Sequence, residues 1–174
     1  MAHSTSEIVA KANRIVKMYG TRDPFKIVSE LGIIVKHCKL GRLRGAYKVI
    51  NRVGFIFLNE ELDEIEQRIV LLHELGHDRL HKAEAIKAGG FQEFKIFDMA
   101  RNRMEYEANV FAAQLELDDD EFLDYSERGY DLQQMASAMN SDINLIALKA
   151  DILISQGYRF RRQEHKNDFL RYDK

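Results

Sequence analysis

The sequence predicts an α+β fold, mainly helical, with a small β-sheet packed on one long helix. Three observations point there. Two stretches open on a capping residue followed three positions later by glutamate (Ser4 with Glu7, Asp63 with Glu66) and run on with apolar residues at helical spacing. Between them lie short β-branched runs, too short for helices and separated by turn residues. Beyond residue 100 the chain becomes rich in alanine and long side chains, which favour helix.

Taken in order, Ser4 to Tyr19 reads as a helix with Ile8, Ala12, Ile15, Val16 and Tyr19 on one stripe, stopped by Gly20. "DPFKIVSELG" reads as a second, short helix: Asp23 caps it, Pro24 sits in its first turn and Gly32 ends it. "IIVKHCKL" reads as a strand, and "GAYKVINRVGFIFLN" as two strands, Ala46–Ile50 and Phe55–Leu58, joined by a turn around Asn51 to Gly54. The helix capped by Asp63 carries Ile65, Ile69, Leu72, Gly76 and Leu80 on its apolar side and is expected to run to Gly89-Gly90. "ARNRMEYEANVFAAQLEL" is the next helix, acidic "LDDDEFLDY" a solvated loop and helix start, and "DLQQMASAMNSDINLIALKADIL" two short helices broken at Asn140-Ser141. The tail from Tyr158 is polar and mildly basic.

Bulk properties narrow the function classes. The chain has 174 residues, 45% of them hydrophobic, which suits an ordinary globular core. A net charge of -2 gives no general attraction to nucleic acid or anionic membrane. Cys38 is the only cysteine, so a disulfide framework is excluded, in keeping with a reducing cytoplasm. No apolar run is long enough to span a bilayer, and "MAHSTSEIVAKAN" lacks the apolar centre of a signal peptide, so a cytoplasmic protein is expected.

The chemistry concentrates in "LLHELGHDRLH", Leu71 to His81. Residues four apart on a helix lie one above the other, so His73 and His77 can aim ring nitrogens at one point. Glu74 is turned aside by one residue and flanks that point. In this pattern the histidines hold zinc and the glutamate is general base toward the attacking water. Leu71, Leu72, Leu75 and Leu80 surround the pair with apolar packing. Gly76 costs about 1 kcal/mol relative to alanine in a helix interior, which suggests that another segment passes close beside His77. His81 lies eight residues past His73, about 80° around an ideal helix, and reads as packing or as support to the ligands. A third ligand is then expected from "RMEYEANVFAAQL", which offers Glu105 and Glu107, about 200° apart on the helix. Glu105 is preferred, because it shares its face with Ala108, Asn109 and Ala112, small enough for close approach; Glu107 stays open as the alternative. Asn109, one turn on, is placed to hydrogen-bond a metal-bound histidine.

These segments together, "GFIFLN", then "LLHELGHDRLH", then "EYEANVFAAQL", resemble the ImmA/IrrE family of zinc metallopeptidases, and "DPFKIVSELGIIV" resembles the segment that opens that domain. The resemblance covers Asp23 to Leu115 well and the rest loosely. It implies a gluzincin-like fold, a small twisted sheet over the active-site helix, with one zinc ion held by His73, His77 and Glu105 and with Glu74 as the base. It also implies an intracellular endopeptidase whose protein substrate is a helix-turn-helix repressor of a phage or mobile element. The chain departs from the family after the last motif: where Met-Pro often follows, it has Leu115-Glu116-Leu117-Asp118 and no proline. Residues 1–125 then read as the metallopeptidase domain with its N-terminal helices. Residues 126–174 read as a small helical extension packed on it, the whole a single unit.

Other roles stay open at this level. Phe55–Asn59 is either an edge strand that pairs with extended substrate or a core strand. Tyr47 and Tyr106 are candidates for stabilising the tetrahedral intermediate, neither distinguished by spacing. The helix pair near Asn140 has the size of a helix-turn-helix, but "INLIALKADIL" carries only Lys149 as a basic residue, and Arg159, Arg161, Arg162, Lys166 and Arg171 of the tail are diluted by Glu164, Asp168 and Asp173. Direct nucleic-acid binding is not expected. A catalytically silent interaction module on the same fold is the alternative to an enzyme.

Overall fold

The computed structural model describes residues 3–93 and 103–160, with the side chain of Glu93 excepted. Helix α1 (Thr5–Tyr19) starts on the expected capping box, Ser4 with Glu7, and stops at Gly20 in left-handed conformation. Its buried residues are Ile8, Val9, Ala12 and Ile15. Helix α2 (Pro24–Glu30) is capped by Asp23, whose side chain accepts from the backbone N–H groups of Phe25 and Lys26.

Strands β1 (Ile34–Cys38), β2 (Gly45–Ile50), β3 (Val53–Asn59) and β4 (Phe91–Glu93) form one sheet in the order β1-β3-β2-β4. β3 lies inside it, parallel to β1 and antiparallel to β2. Phe55–Asn59 is therefore core strand, and the edge beside the cleft described below is β4, paired with β2 over Gly45–Tyr47. The β2–β3 turn is tighter than expected: Asn51 and Arg52 both take positive φ, and Gly54 belongs to β3. Asn59 is buried at the end of β3, where its amide donates to the carbonyls of Gly41 and Leu43 and so fixes the loop before β2.

Helix α3 (Glu64–Leu80) begins on the Asp63–Glu66 capping box and packs across β2 and β3. The expectation of one helix to Gly89-Gly90 is corrected. The chain leaves helical geometry at His81 (φ -126, ψ 21), and a separate helix α4 (Lys82–Ala88) carries it to Gly89. The break accompanies a change of partner: the His81 ring turns to buried polar groups of α3 and α5 instead of following the helix. Helix α5 (Arg103–Glu116) packs on α3, α1 and α8 (Ile143–Ser155); the start expected at residues 100–102 lies outside the described residues.

Helices α6 (Asp119–Glu127) and α7 (Leu132–Ala138) precede α8, with the break at Asn140-Ser141 where expected. The segment that lacks proline turns directly into α6, because Asp118 caps it. Arg22 donates to the terminal carbonyls of Gln114 and Leu115 and to Asp118, supplying partners that the end of α5 would otherwise lack. Lys149 points inward, fully buried, donating to Gln114 and Asp119, while the Gln114 amide donates to Asn13 of α1 and to Asp119. The one basic residue of "INLIALKADIL" is thus part of an internal polar knot. Arg161, Arg162, Lys166 and Arg171 lie outside the described residues. Among the described residues, no helix is long and apolar enough to cross a membrane.

Candidate metal centre

From Ile69 to Leu80 nearly every residue of α3 is buried, because sheet and α5 cover it from two sides. Its closest approach to α5 is at Gly76, where an added Cβ would lie 3.0 Å from both Cα and O of Ala108. This is the passing segment that Gly76 implied. Ala108 lies one turn after Glu105, so the contact that needs glycine on α3 also sets how near Glu105 comes to the histidines.

His73 Nε2 lies 3.1 Å from His77 Nε2 and 3.1 Å from Glu105 Oε2, and His77 Nε2 lies 3.5 Å from the same oxygen. An ion bound tetrahedrally with bonds of about 2.0–2.1 Å separates its ligand atoms by roughly 3.3 Å, so the three atoms fit one face of such a site. Among the described residues these three form the one group of His, Cys, Asp or Glu able to hold a metal ion. Burial pushes the His77 imidazole down to about 4, which keeps it neutral and its lone pair available near pH 7. Burial alone would raise Glu105, but its close polar contacts with the His73 and His77 imidazoles outweigh it and hold the carboxyl below its ordinary range. Two imidazoles and one carboxylate make a donor set suited to a divalent cation.

The outer nitrogens of both rings are engaged. Nδ1 of His73 is 2.9 Å from Asn109 Oδ1, the contact expected of Asn109. Nδ1 of His77 is 3.1 Å from Nδ1 of His81. His81 therefore supports the pair and is not among the converging atoms. Glu107, the alternative third ligand, is buried, but its Oε2 faces His81 Nε2 at 3.2 Å and its Oε1 accepts from Arg103 Nε at 2.8 Å. It meets the far end of the histidine row, so Glu105 alone of the two carboxylates converges with His73 and His77.

Glu74 is fully buried on the sheet side of α3. The strand beside it begins with Gly45, where a Cβ would run into Val70 and come within 3.0 Å of Glu74 Oε1. Gly45 is a position that sequence reasoning missed; the only signal was a glycine opening a strand next to the motif. Of the two tyrosines, Tyr47 is buried with its hydroxyl donating to Asp78 Oδ1 at 2.6 Å, so that hydroxyl is committed, whereas Tyr106 is partly exposed. A cleft of about 640 Å³ opens beside Glu105, lined by Leu40, Leu43, Ala46, Phe57 and Phe91 among others. The Phe91 ring of β4 lies 4.7 Å from that of His77, centroid to centroid, closing this side of the site.

Comparison with known proteins finds related sequences. The model of a peptidase family, described as the IrrE N-terminal-like domain, matches residues 28–150. The chain is 31% identical over 143 residues to an uncharacterized immunity region protein 2 of Bacillus phage phi105, covering 82% of this chain and 88% of the relative. It is 27% identical over 143 residues to the metallopeptidase ImmA of Bacillus subtilis (strain 168), covering 79% and 80%.

Proposed function

The chain belongs to the peptidase family of the IrrE N-terminal-like domain, and on that premise we propose that it is a zinc metalloendopeptidase, with His73, His77 and Glu105 as ligands and Glu74 as general base. One observation carries this reading: three lone-pair donors from two helices meet at 3.1–3.5 Å, one residue away from a buried glutamate. Zinc, when bound, would supply Lewis acidity, making water acidic near neutral pH and polarising a carbonyl. Glu74 takes a proton from the attacking water at its carboxylate and returns it to the departing amide nitrogen. The leucines around the histidines and the Phe91 ring exclude bulk solvent, which strengthens each of these electrostatic contacts. An extended substrate adds along β4, whose backbone supplies the pairing, with side chains entering the apolar part of the cleft.

The substrate favoured here is a helix-turn-helix repressor of a phage or mobile element, met in the cytoplasm. The resemblance to the ImmA/IrrE family supports it, as does the relative named for a phage immunity region. The test is zinc content of the purified chain beside His77→Ala and Glu74→Gln, followed by digestion of a repressor encoded next to it. Zinc bound by wild type and by Glu74→Gln, lost in His77→Ala, with cleavage by wild type alone, is the expected result. No zinc uptake on reconstitution would turn the reading to a silent interaction module, and equal cleavage by Glu74→Gln would remove the base from its role.

A further inference from the structure

Behind the three converging atoms lies a second row of buried polar groups. Glu107 Oε2 faces His81 Nε2 at 3.2 Å, and His81 Nδ1 faces His77 Nδ1 at 3.1 Å. All three residues are at most 2% exposed, so water does not replace these contacts. The other carboxylate oxygen of Glu107 accepts from Arg103 Nε at 2.8 Å and from the backbone N–H of His3 at 3.1 Å. The His3 ring in turn lies 3.2 Å from the carbonyl of Leu80, the last residue of α3. Glu107 is thus held from both sides of the helix pair.

The proton positions along this row follow from valence. A carboxylate has no proton to give, so His81 Nε2 carries one and donates it to Glu107. A neutral His81 then presents a lone pair at Nδ1. Two lone pairs do not face each other at 3.1 Å, so His77 carries its proton on Nδ1 and donates it to His81. The lone pair of His77 is left on Nε2, the atom that points at His73 and Glu105, where a bound cation would lie among the three facing donor atoms.

We propose that Glu107, acting through His81, is a positioning residue for the metal site: it fixes His77 in the Nδ1–H tautomer and in the ring orientation that leaves Nε2 free to ligate. The role rests on His77 being a metal ligand as proposed above. It gives both contacts of the His81 ring, at the residue where α3 ends, a shared purpose. It also explains a second buried glutamate two residues after Glu105. His73 is held in the same tautomer by a simpler device, the side-chain amide oxygen of Asn109 at 2.9 Å.

The experiment uses the full chain, labelled with ¹⁵N and loaded with zinc. Long-range proton–nitrogen correlation spectra read which ring nitrogen of His77 bears hydrogen. Zinc affinity is then measured by competition with a chromogenic chelator for wild type, His81→Leu and His81→Gln. Nδ1–H at His77 in wild type is expected, together with zinc binding about 10–100-fold weaker in His81→Leu. His81→Gln keeps most of the affinity, because its amide oxygen accepts from His77 while its N–H groups donate to Glu107. Absence of a hydrogen on Nδ1 of His77 in the zinc-loaded wild type overturns the proposal without recourse to any variant. So does unchanged affinity in His81→Leu, or a Gln variant as weak as the Leu variant. A wild-type chain that takes up no zinc would sink the zinc reading itself, an outcome distinct from zinc bound equally well by wild type and His81→Leu.

Discussion

Gly76→Ala sets two effects of known size against each other. Alanine in a helix interior is favoured over glycine by about 1 kcal/mol. Against this, the new Cβ would meet the Cα and carbonyl oxygen of Ala108 at 3.0 Å and its Cβ at 3.2 Å. These are mainly backbone contacts of a packed helix, so no side-chain rotation relieves them, and α5 retreats by a few tenths of an ångström. Overpacking of this kind costs about 1–3 kcal/mol, so the net change is destabilising by up to about 2 kcal/mol. For a chain of this size each kcal/mol lowers Tm by about 2–4 °C. The larger effect is on the metal. Glu105 precedes Ala108 by one turn of the same helix and moves with it, whereas metal ligands tolerate displacements of only about 0.2 Å. Zinc affinity is expected to fall about tenfold or more, and calorimetric melting beside chelator competition measures both effects. A variant that melts above wild type with unchanged zinc affinity would refute the idea that this contact holds Glu105 in place.

Three further outcomes are expected. Tyr47→Phe removes the buried hydrogen bond to Asp78 and loses about 1–3 kcal/mol of stability in urea denaturation, yet keeps cleavage, because that hydroxyl is committed to Asp78; abolished cleavage in a folded variant would restore Tyr47 as the electrophile. Lys149→Met strands the side-chain oxygen of Gln114 in the core and costs about 1–3 kcal/mol, with zinc affinity unchanged because the knot lies apart from the metal centre; an unchanged denaturation midpoint would show that the knot contributes nothing. The metal-free chain loses stability on acidification. His77 titrates near 4 when folded and near its ordinary 6.5 when unfolded, so below 6.5 the unfolded chain binds a proton that the folded chain refuses. Stability from this group is complete above about pH 6.5 and falls by about 3 kcal/mol as pH drops to 4, and Glu105, held below its ordinary range, adds to the loss below pH 4.5. Equal urea midpoints at pH 7.5 and pH 4.5 would contradict it.

Much of this was legible because it is local. The two capping boxes, the Gly20 stop, the Asn140 break and the His73–His77 pairing depend on spacings within one helix or turn, and spacing is what a sequence displays. The small face of α5 also showed itself, since Ala108 and Ala112 have few reasons to recur there except close packing. What did not show was relational. That β3 is interior follows from its pairing with β1 and β2, which no residue of "FIFL" encodes. The buried partner of the His81 ring is Glu107, 26 positions onward, and the same pairing explains why a glutamate on another face of α5 is buried instead of solvated. Gly45 was invisible for a like reason: what it makes room for, Val70 and Glu74, belongs to another element.

The inward-pointing Lys149 bears on uniqueness as well as on stability. α8 is almost wholly aliphatic along its buried side, with Leu145, Ile146, Leu148, Ile152 and Leu153 against the rest of the core. Aliphatic surfaces are forgiving, and such a helix can slide by a turn along its groove and still bury nearly the same area. A desolvated ammonium is not forgiving: it finds its acceptors, Gln114 and Asp119, at one axial position, and a slip of one turn strands it among methyl groups. Because Gln114 also holds Asn13, that single cation reads out the alignment of α1, α5, α6 and α8 together, turning several near-equal packings into one.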